Sequence, residues 1–476
     1  MQHRGLNRPA TTPMRTLSAA LLVFCASLNG PVFAAPDNVR AEAREIFADV
    51  VAMKTSEGLG QVPGMASYLA RKLRAAGFPK KDIHILPLGE TASFVARYSG
   101  DGSGGRPILL MAHMDVVTAN PDEWERDPFA LVEENGYFFG RGTTDMKSDV
   151  SVIITTFIRL KREGFVPTRD LIIAFTGDEE TNQATTSELI EKHRDLVDAE
   201  FALNGDGGGG VFDEEKGEAS LYFVQGAEKT YATFEITARN PGGHSSEPRV
   251  KNAIYDLADA LKALQAHKFP VQWNEWTLAS LAASGATIEG ELGDALRAFA
   301  AKPGEGPAAE RLAVEYAYVG RTRTTCIPTM LRGGHAENAL PQTAVATVNC
   351  RIFPGNTTEE IRAELQRVAG NGVDVTLAGR ARDSLASPMR PDVLEAVTRA
   401  VHASYPGVRI VPDQAPYYTD GSVFRAAGIP TYGVSGMFLK DSDSFAHGLN
   451  ERMPVDAFYN GLTHWYVLMK ELAGRR

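Results

Sequence analysis

Cysteine is scarce, with three residues in 476. So few exclude a disulfide scaffold and leave stability to an apolar core. The chain has no glycine-lysine phosphate loop, no internal repeat and no low-complexity tract. Those absences remove phosphate-loop nucleotide hydrolases, solenoids and compositionally biased linkers. Excess basic charge is also missing. Lys and Arg number 49 against 59 Asp and Glu, a formal net charge of -10, so no nucleic-acid partner is expected. Beyond the N-terminus, no apolar run approaches the ~20 residues a membrane-spanning helix needs.

What remains is ordinary in bulk: 43% hydrophobic and 23% charged residues, the values of a soluble globular protein. The length exceeds one ordinary core, so two domains are expected. The N-terminus reads as an export signal. Arg15 precedes an apolar stretch from Leu17 to Leu28, followed by Asn29-Gly30-Pro31 and then Val32-Phe33-Ala34. Cleavage is expected after Ala34, and Met14 is the expected start. The stretch is too short for a transmembrane anchor, and Phe24 disfavours a lipoprotein signal at Cys25. The mature protein is therefore expected in the periplasm or outside the cell, with no membrane attachment. It keeps Cys326 and Cys350, on two strand-like segments around a turn near residues 333–341. A disulfide and two free thiols both stay open.

Apolar periodicity predicts helices across residues 36–80. Strands "SFVARYS", "PILLMAHMD", "DLIIAFTGD" and "FALNGD" then alternate with helices "SDVSVIITTFIRLKREG" and "ATTSELIEKHRDLVD". Such alternation predicts an α/β fold with a mixed, largely parallel sheet and helices on both faces. The texture changes near residue 220 to an α+β segment, with a less regular stretch from 270 to 320. Helix–strand alternation returns after 383. The expected organisation is a signal peptide over 1–34, a first part of the main domain over 35–219, an inserted α+β domain over 220–383, and a second part over 384–476.

Polar residues interrupt the apolar strands at their carboxyl ends. His113 and Asp115 follow "LLM", Glu179 and Glu180 close "AFTGDEE", and Asp206 closes "FALNGD". Asp145 lies in "GRGTTDMKSD" before a helix, and His447 in "FAHGLNER". Strand ends of one parallel sheet converge on one edge, where such folds bind ligands. Two histidines with several carboxylates suit zinc or a similar metal, and the number of donors suits two ions. Each piece alone is weak: a His-x-Asp is usually a satisfied polar pair, and Glu-Glu a solvated face. Their conjunction on successive units changes the odds.

The ordered blocks "HMD", "GRGTTDMKSD", "TGDEE", "NGD", "GGHSSEP", "NALP", "NCRIFPG" and "HGLNER" resemble the co-catalytic zinc hydrolases. That family includes aminoacylase, glutamate carboxypeptidase, acetylornithine deacetylase and succinyl-diaminopimelate desuccinylase. The resemblance covers about residues 45–465 and is nearest in style to the larger carboxypeptidase-like members. It implies two zinc ions per subunit, with cobalt or manganese as alternatives. His113, Asp145 and Asp206 match the ligands of one metal. Asp145, Glu180 and His447 match those of the other, with Asp145 bridging. Glu179 matches the general acid/base, and Asp115 the carboxylate that orients His113. The peptide after Asp145 is expected to be cis. The inserted segment resembles the family's lid and dimerisation domain. His244 matches a histidine that reaches a partner's active site, and Arg351 and Asn338 match residues that hold substrate.

The implied activity is cleavage of the amide bond next to a C-terminal amino acid, in short peptides or N-acyl amino acids. A biosynthetic deacylase of the acetylornithine type fits the export signal poorly. A non-catalytic binding protein fits the complete set of ligands and base poorly. "TNQATT" after "DEE", and "YYTDGS" near the C-terminus, depart from the family pattern and leave the substrate side chain open.

Overall fold

The structure, a computed structural model, describes residues 34–475. The expected export signal lies outside them, apart from Ala34. The organising element is a ten-stranded sheet. At its centre the Ile108–His113 strand pairs in parallel with Leu171–Thr176 on one side and Phe201–Asn204 on the other. Strands paired on both edges and covered on both faces need a continuous apolar run, and "ILLMA" supplies one. Alternate side chains serve different cores. Ile108, Leu110 and Ala112 join the core formed with helices Asp37–Ala52, Lys147–Arg162 and Val455–Ala473. Leu109 and Met111 face a smaller core with Leu189 of helix Ala184–Lys192 and Phe424 of helix Gly421–Ala426. The sheet is thus mixed, parallel at its centre and layered by helices on both faces, as the alternation predicts.

A second, four-stranded antiparallel sheet runs in the order Thr325–Gly333, Thr343–Ile352, Thr230–Arg239, Val373–Ala378. Phe234, Ile236 and Val348 of this sheet bury against Leu257 and Leu264 of helix Ala253–Ala266, and against Ile361 and Leu365 of helix Thr358–Ala369. A capping box between Thr357 and Glu360 starts the latter helix. Cys326 and Cys350 stand opposite each other in the ladder and are joined by a disulfide.

The residue-220 boundary falls inside the Ala219–Glu228 strand, which belongs to the large sheet. The second sheet begins at Thr230. The stretch 270–320 is more regular than its sequence implies. It forms helices Glu275–Gly285, Gly290–Ala301, Pro307–Ala313 and Tyr316–Val319. Alanine, serine and glycine fill much of their buried face, so no broad apolar stripe marks them. Trp276 anchors the group to the large sheet's core. It is fully buried, and its Nε1–H donates to the Ser387 carbonyl at 2.8 Å. Among the described residues no helix is long and apolar enough to cross a membrane.

Candidate active site

The carboxyl ends of the central strands meet at one edge. His113 is the last residue of its strand and stands level with Thr176. Glu179 and Glu180 follow Thr176 in the next turn, and Asp206 follows Asn204. Asn204 shapes its turn by accepting the Asp206 N–H at 3.0 Å through its side chain. The tight turns need small residues. A Cβ on Gly205 would come within 2.9 Å of Asp149 and Met146, and Gly208 has φ +70° with the Gly433 carbonyl against it.

Asp145 occupies the middle of the cluster, and the peptide that follows it is cis. One of its carboxylate oxygens lies 2.9 Å from His113 Nε2, the other 3.1 Å from His447 Nε2. Glu180 approaches His447 at 3.0 Å. Ligand atoms of His113, Asp145 and Glu180 lie within 4.8 Å of one another, as do those of His113, Glu179 and Asp206. His113 is almost fully buried, whereas the His447 side chain is 55% exposed at the rim. His113 Nδ1–H donates to the Asp115 backbone carbonyl at 3.0 Å. That bond fixes the ring's orientation and turns Nε2 towards Asp145.

Asp115 has a second task besides its place beside His113. Its nearest carboxylate oxygen is 3.5 Å from His113 Nδ1. The two oxygens also accept the backbone N–H groups of Glu179 at 3.1 Å and Glu180 at 3.0 Å. One residue therefore sets the imidazole through its carbonyl and the two glutamates through its carboxylate.

The electrostatics show strong crowding of negative charge. Burial pushes the Glu179 carboxyl well above its ordinary range, and Asp206 adds to the effect. Asp206 is itself raised by burial and by Asp145. Burial opposes a charged His113, yet its bonds to Asp115 and Asp145 outweigh that and raise it well above the usual imidazole value. His447 is raised to about 10 by Asp145 and then Glu180. Two imidazoles among four converging carboxylates form a mixed nitrogen and oxygen donor set with a surplus of negative charge. That set fits a pair of divalent cations.

Two supporting acids were not singled out from sequence. Glu451, fully buried, accepts the N–H groups of Gly142, Thr144 and Asp145 at 3.0, 2.7 and 3.1 Å and pairs with Arg141. It holds the loop that presents Asp145. Asp420 accepts hydroxyls from Thr176 and Thr186, and burial raises it to about 7. The only signal for either was its place inside a quoted block, "HGLNER" or "YYTDGS".

A cleft of about 950 Å³ opens over the cluster, lined by Asp145, Glu179, Glu180, Asp206 and His447. Arg351 lines it too, its guanidinium 4.7 Å from the Tyr231 ring centroid. Among the described residues no carboxylate pairs with Arg351. Asn338 and His244 lie elsewhere. They adjoin each other, with the Ser245 N–H donating to the Asn338 carbonyl, and both are exposed and outside the cleft lining.

A cluster that could hold metal ions on the carboxyl edge of an α/β sheet, open to a substrate-sized cleft, is an arrangement suited to a metal-dependent hydrolase of the peptidase or amidohydrolase type. Residues 109–471 match the peptidase family M20/M25/M40, and the chain belongs to it. It is 27% identical over 435 residues to the human N-fatty-acyl-amino acid synthase/hydrolase PM20D1, covering 86% of this chain and 85% of that protein. It is 25% identical to mouse aminoacylase-1, covering 86% and 90%. A solved M20 family metallo-carboxypeptidase, Sso-CP2 from Sulfolobus solfataricus, superposes with a TM-score of 0.68 at 17% identity, covering 90% of this chain and 99% of the other.

Proposed function

We propose that this chain is an exported dizinc amidohydrolase that releases the amino acid from N-acyl amino acids or the C-terminal residue from short peptides. The observation that carries the reading is a shared cleft. Asp145, Glu179, Glu180 and His447 line it together with Arg351, with which no carboxylate pairs among the described residues. An arginine fork suits a free carboxylate. The likeness to an N-fatty-acyl-amino acid hydrolase and an aminoacylase supports the same substrate class.

His113, Asp145, Glu180, Asp206 and His447 would hold two cations, which when bound polarise a carbonyl and acidify water. Arg351 binds the substrate carboxylate and so sets the amide over Glu179. Glu179, held from below by Asp115, takes the proton of the attacking water and delivers it to the leaving nitrogen. Gln183 Nε2 lies 3.3 Å from Glu179 Oε1 and steadies it.

The second half of the proposal is a homodimer joined through the second sheet and its exposed loops. His244 Nδ1 accepts the Ser246 N–H at 3.2 Å, so its proton sits on Nε2, facing solvent. That N–H suits an oxyanion in a partner's cleft better than any group in its own. The Cys326–Cys350 disulfide supports an oxidising compartment and hence export.

The test is a panel of N-acyl amino acids and dipeptides with the zinc-loaded protein, each paired with its C-terminal amide. Hydrolysis of the free acids, with the amides at least about tenfold poorer, is expected. Loss of at least about a hundredfold in kcat is expected for Glu179→Gln. Equal cleavage of acids and amides overturns the role of Arg351. Full activity in Glu179→Gln overturns the mechanism.

A further inference from the structure

A second cavity, of about 480 Å³, lies between the carboxyl end of helix Ala253–Ala266 and the start of the Thr325–Gly333 strand. It shares no lining residue with the active-site cleft. Its size is within the ~300–1,000 Å³ usual for small-molecule sites. Leu264, Phe269 and Ile327 give it apolar walls, and Arg323, Lys262 and Lys268 are its charged lining residues. No acidic side chain lines it.

Arg323 is the unusual member. It is 7% exposed, yet its guanidinium makes one hydrogen bond, from Nη1 to the Phe269 carbonyl at 3.2 Å. Nε is buried with no partner among the described residues. Among the described residues no carboxylate forms an ion pair with it. Buried guanidinium groups are ordinarily paired, because an unpaired buried charge is costly. Glu364, the acid beside His267, is bound by Arg367 at 2.6 Å, and the Arg323 carbonyl accepts from Lys229 Nζ at 2.9 Å.

We propose that this cavity is a binding site for a small amphiphilic carboxylate, its head on Arg323 and its alkyl tail along Leu264, Phe269 and Ile327. A planar fork at the end of an apolar slot recognises a carboxylate, and the exposed Lys262 and Lys268 at the rim favour an anion's approach. The site stands independently of the hydrolytic reading, since none of its residues belongs to the metal cluster or the cleft.

The test is calorimetric titration of the zinc-loaded protein with hexanoate, octanoate and decanoate, with decanol as the uncharged control. An Arg351→Ala background weakens carboxylate binding in the cleft, and any binding that Ala313→Trp leaves unchanged is assigned to the cleft. Affinity should rise about fourfold per added methylene, and decanol should bind at least about tenfold more weakly than decanoate. Arg323→Met should weaken decanoate by about tenfold or more. Ala313→Trp, which fills the slot while keeping Arg323, should abolish binding, and Lys268→Glu on the surface should weaken it. The last two variants keep the test decisive if Arg323→Met does not fold. Three results overturn the site: no saturable binding of decanoate, decanol binding as tightly as decanoate, or Ala313→Trp binding decanoate as the parent does.

Discussion

Asp115 connects three functional groups through its own short side chain and carbonyl. Its carboxylate bonds to the Glu179 and Glu180 backbone fix where those two glutamates stand relative to His113. Asp115→Asn keeps the shape but turns one acceptor into an NH₂ group that faces an N–H. The expected outcome is a 10- to 100-fold loss of kcat or metal affinity, the usual scale for groups that orient ligands. Steady-state kinetics and a zinc titration check it, and an unchanged kcat with unchanged affinity would show that the clamp is dispensable. His113 and Asp115 were legible because they break an apolar strand. Glu451 and Asp420 were not. Each is a single acid in a loop, 306 residues from Asp145 and 244 from Thr176 respectively. No local period links such partners, and only the fold brings them together.

Among the elements, legibility follows the contrast between buried and exposed positions. The central strands were readable because burial on both faces demands unbroken apolar runs. The helices between 275 and 319 were obscure because alanine serves buried and exposed positions alike. The disulfide was left open by sequence, since spacing alone could not show that residues 326 and 350 stand opposite each other across the ladder. It closes a loop with a sequence separation of 24, which corresponds to a stabilisation of about 3 kcal/mol through the unfolded chain. A Cys326→Ala, Cys350→Ala protein should lose about that much in urea unfolding, and reductant should lower the parent by a similar amount. Hydrolysis at ambient temperature should persist, because neither sulfur lines the cleft. A double variant as stable as the parent would assign the hold of these strands to the ladder alone.

For the whole molecule, acid stability depends on buried groups outside the candidate ligand set. Burial depresses His464, in the C-terminal helix, to about 4, and its Nε2–H donates to the Val434 carbonyl at 2.9 Å. As pH falls below 6.5 the unfolded chain takes up a proton that the native imidazole refuses. Native stability therefore drops from about pH 6.5 to pH 4 by this group, by an amount on the order of 3 kcal/mol. Asp149, raised by burial to about 6, works the other way. The native state binds its proton more readily, which favours folding as pH falls from 6 to 3.8. The parent curve is a sum of both, so the informative quantity is a difference. Urea unfolding of the parent and His464→Asn between pH 7 and pH 4 should show the variant less sensitive to acid across that window. Parallel curves would mean that His464 takes up its proton alike in the native and unfolded states.

The placement of His244 and Asn338 sets the last whole-molecule expectation. These residues neighbour each other on two exposed segments that pair antiparallel, and they line no part of their own cleft. Arg351, Asp145, Glu180, Asp206 and His447 do line it. If catalysis needs both groups at once, each site must draw on two chains. A His244→Ala subunit then carries a sound cleft but no donor for its partner. An Arg351→Ala subunit carries the donor but a damaged cleft. Each variant alone should be strongly impaired. In a randomly mixed population half of the dimers combine the two kinds of subunit. Each such dimer holds one site with a sound cleft and a sound donor, so mixing equal amounts should restore about a quarter of parental activity. Size-exclusion chromatography should show a dimer throughout. No recovery after demonstrated subunit exchange would place His244 in its own cleft or outside catalysis, and a monomer with full activity would remove the shared site altogether.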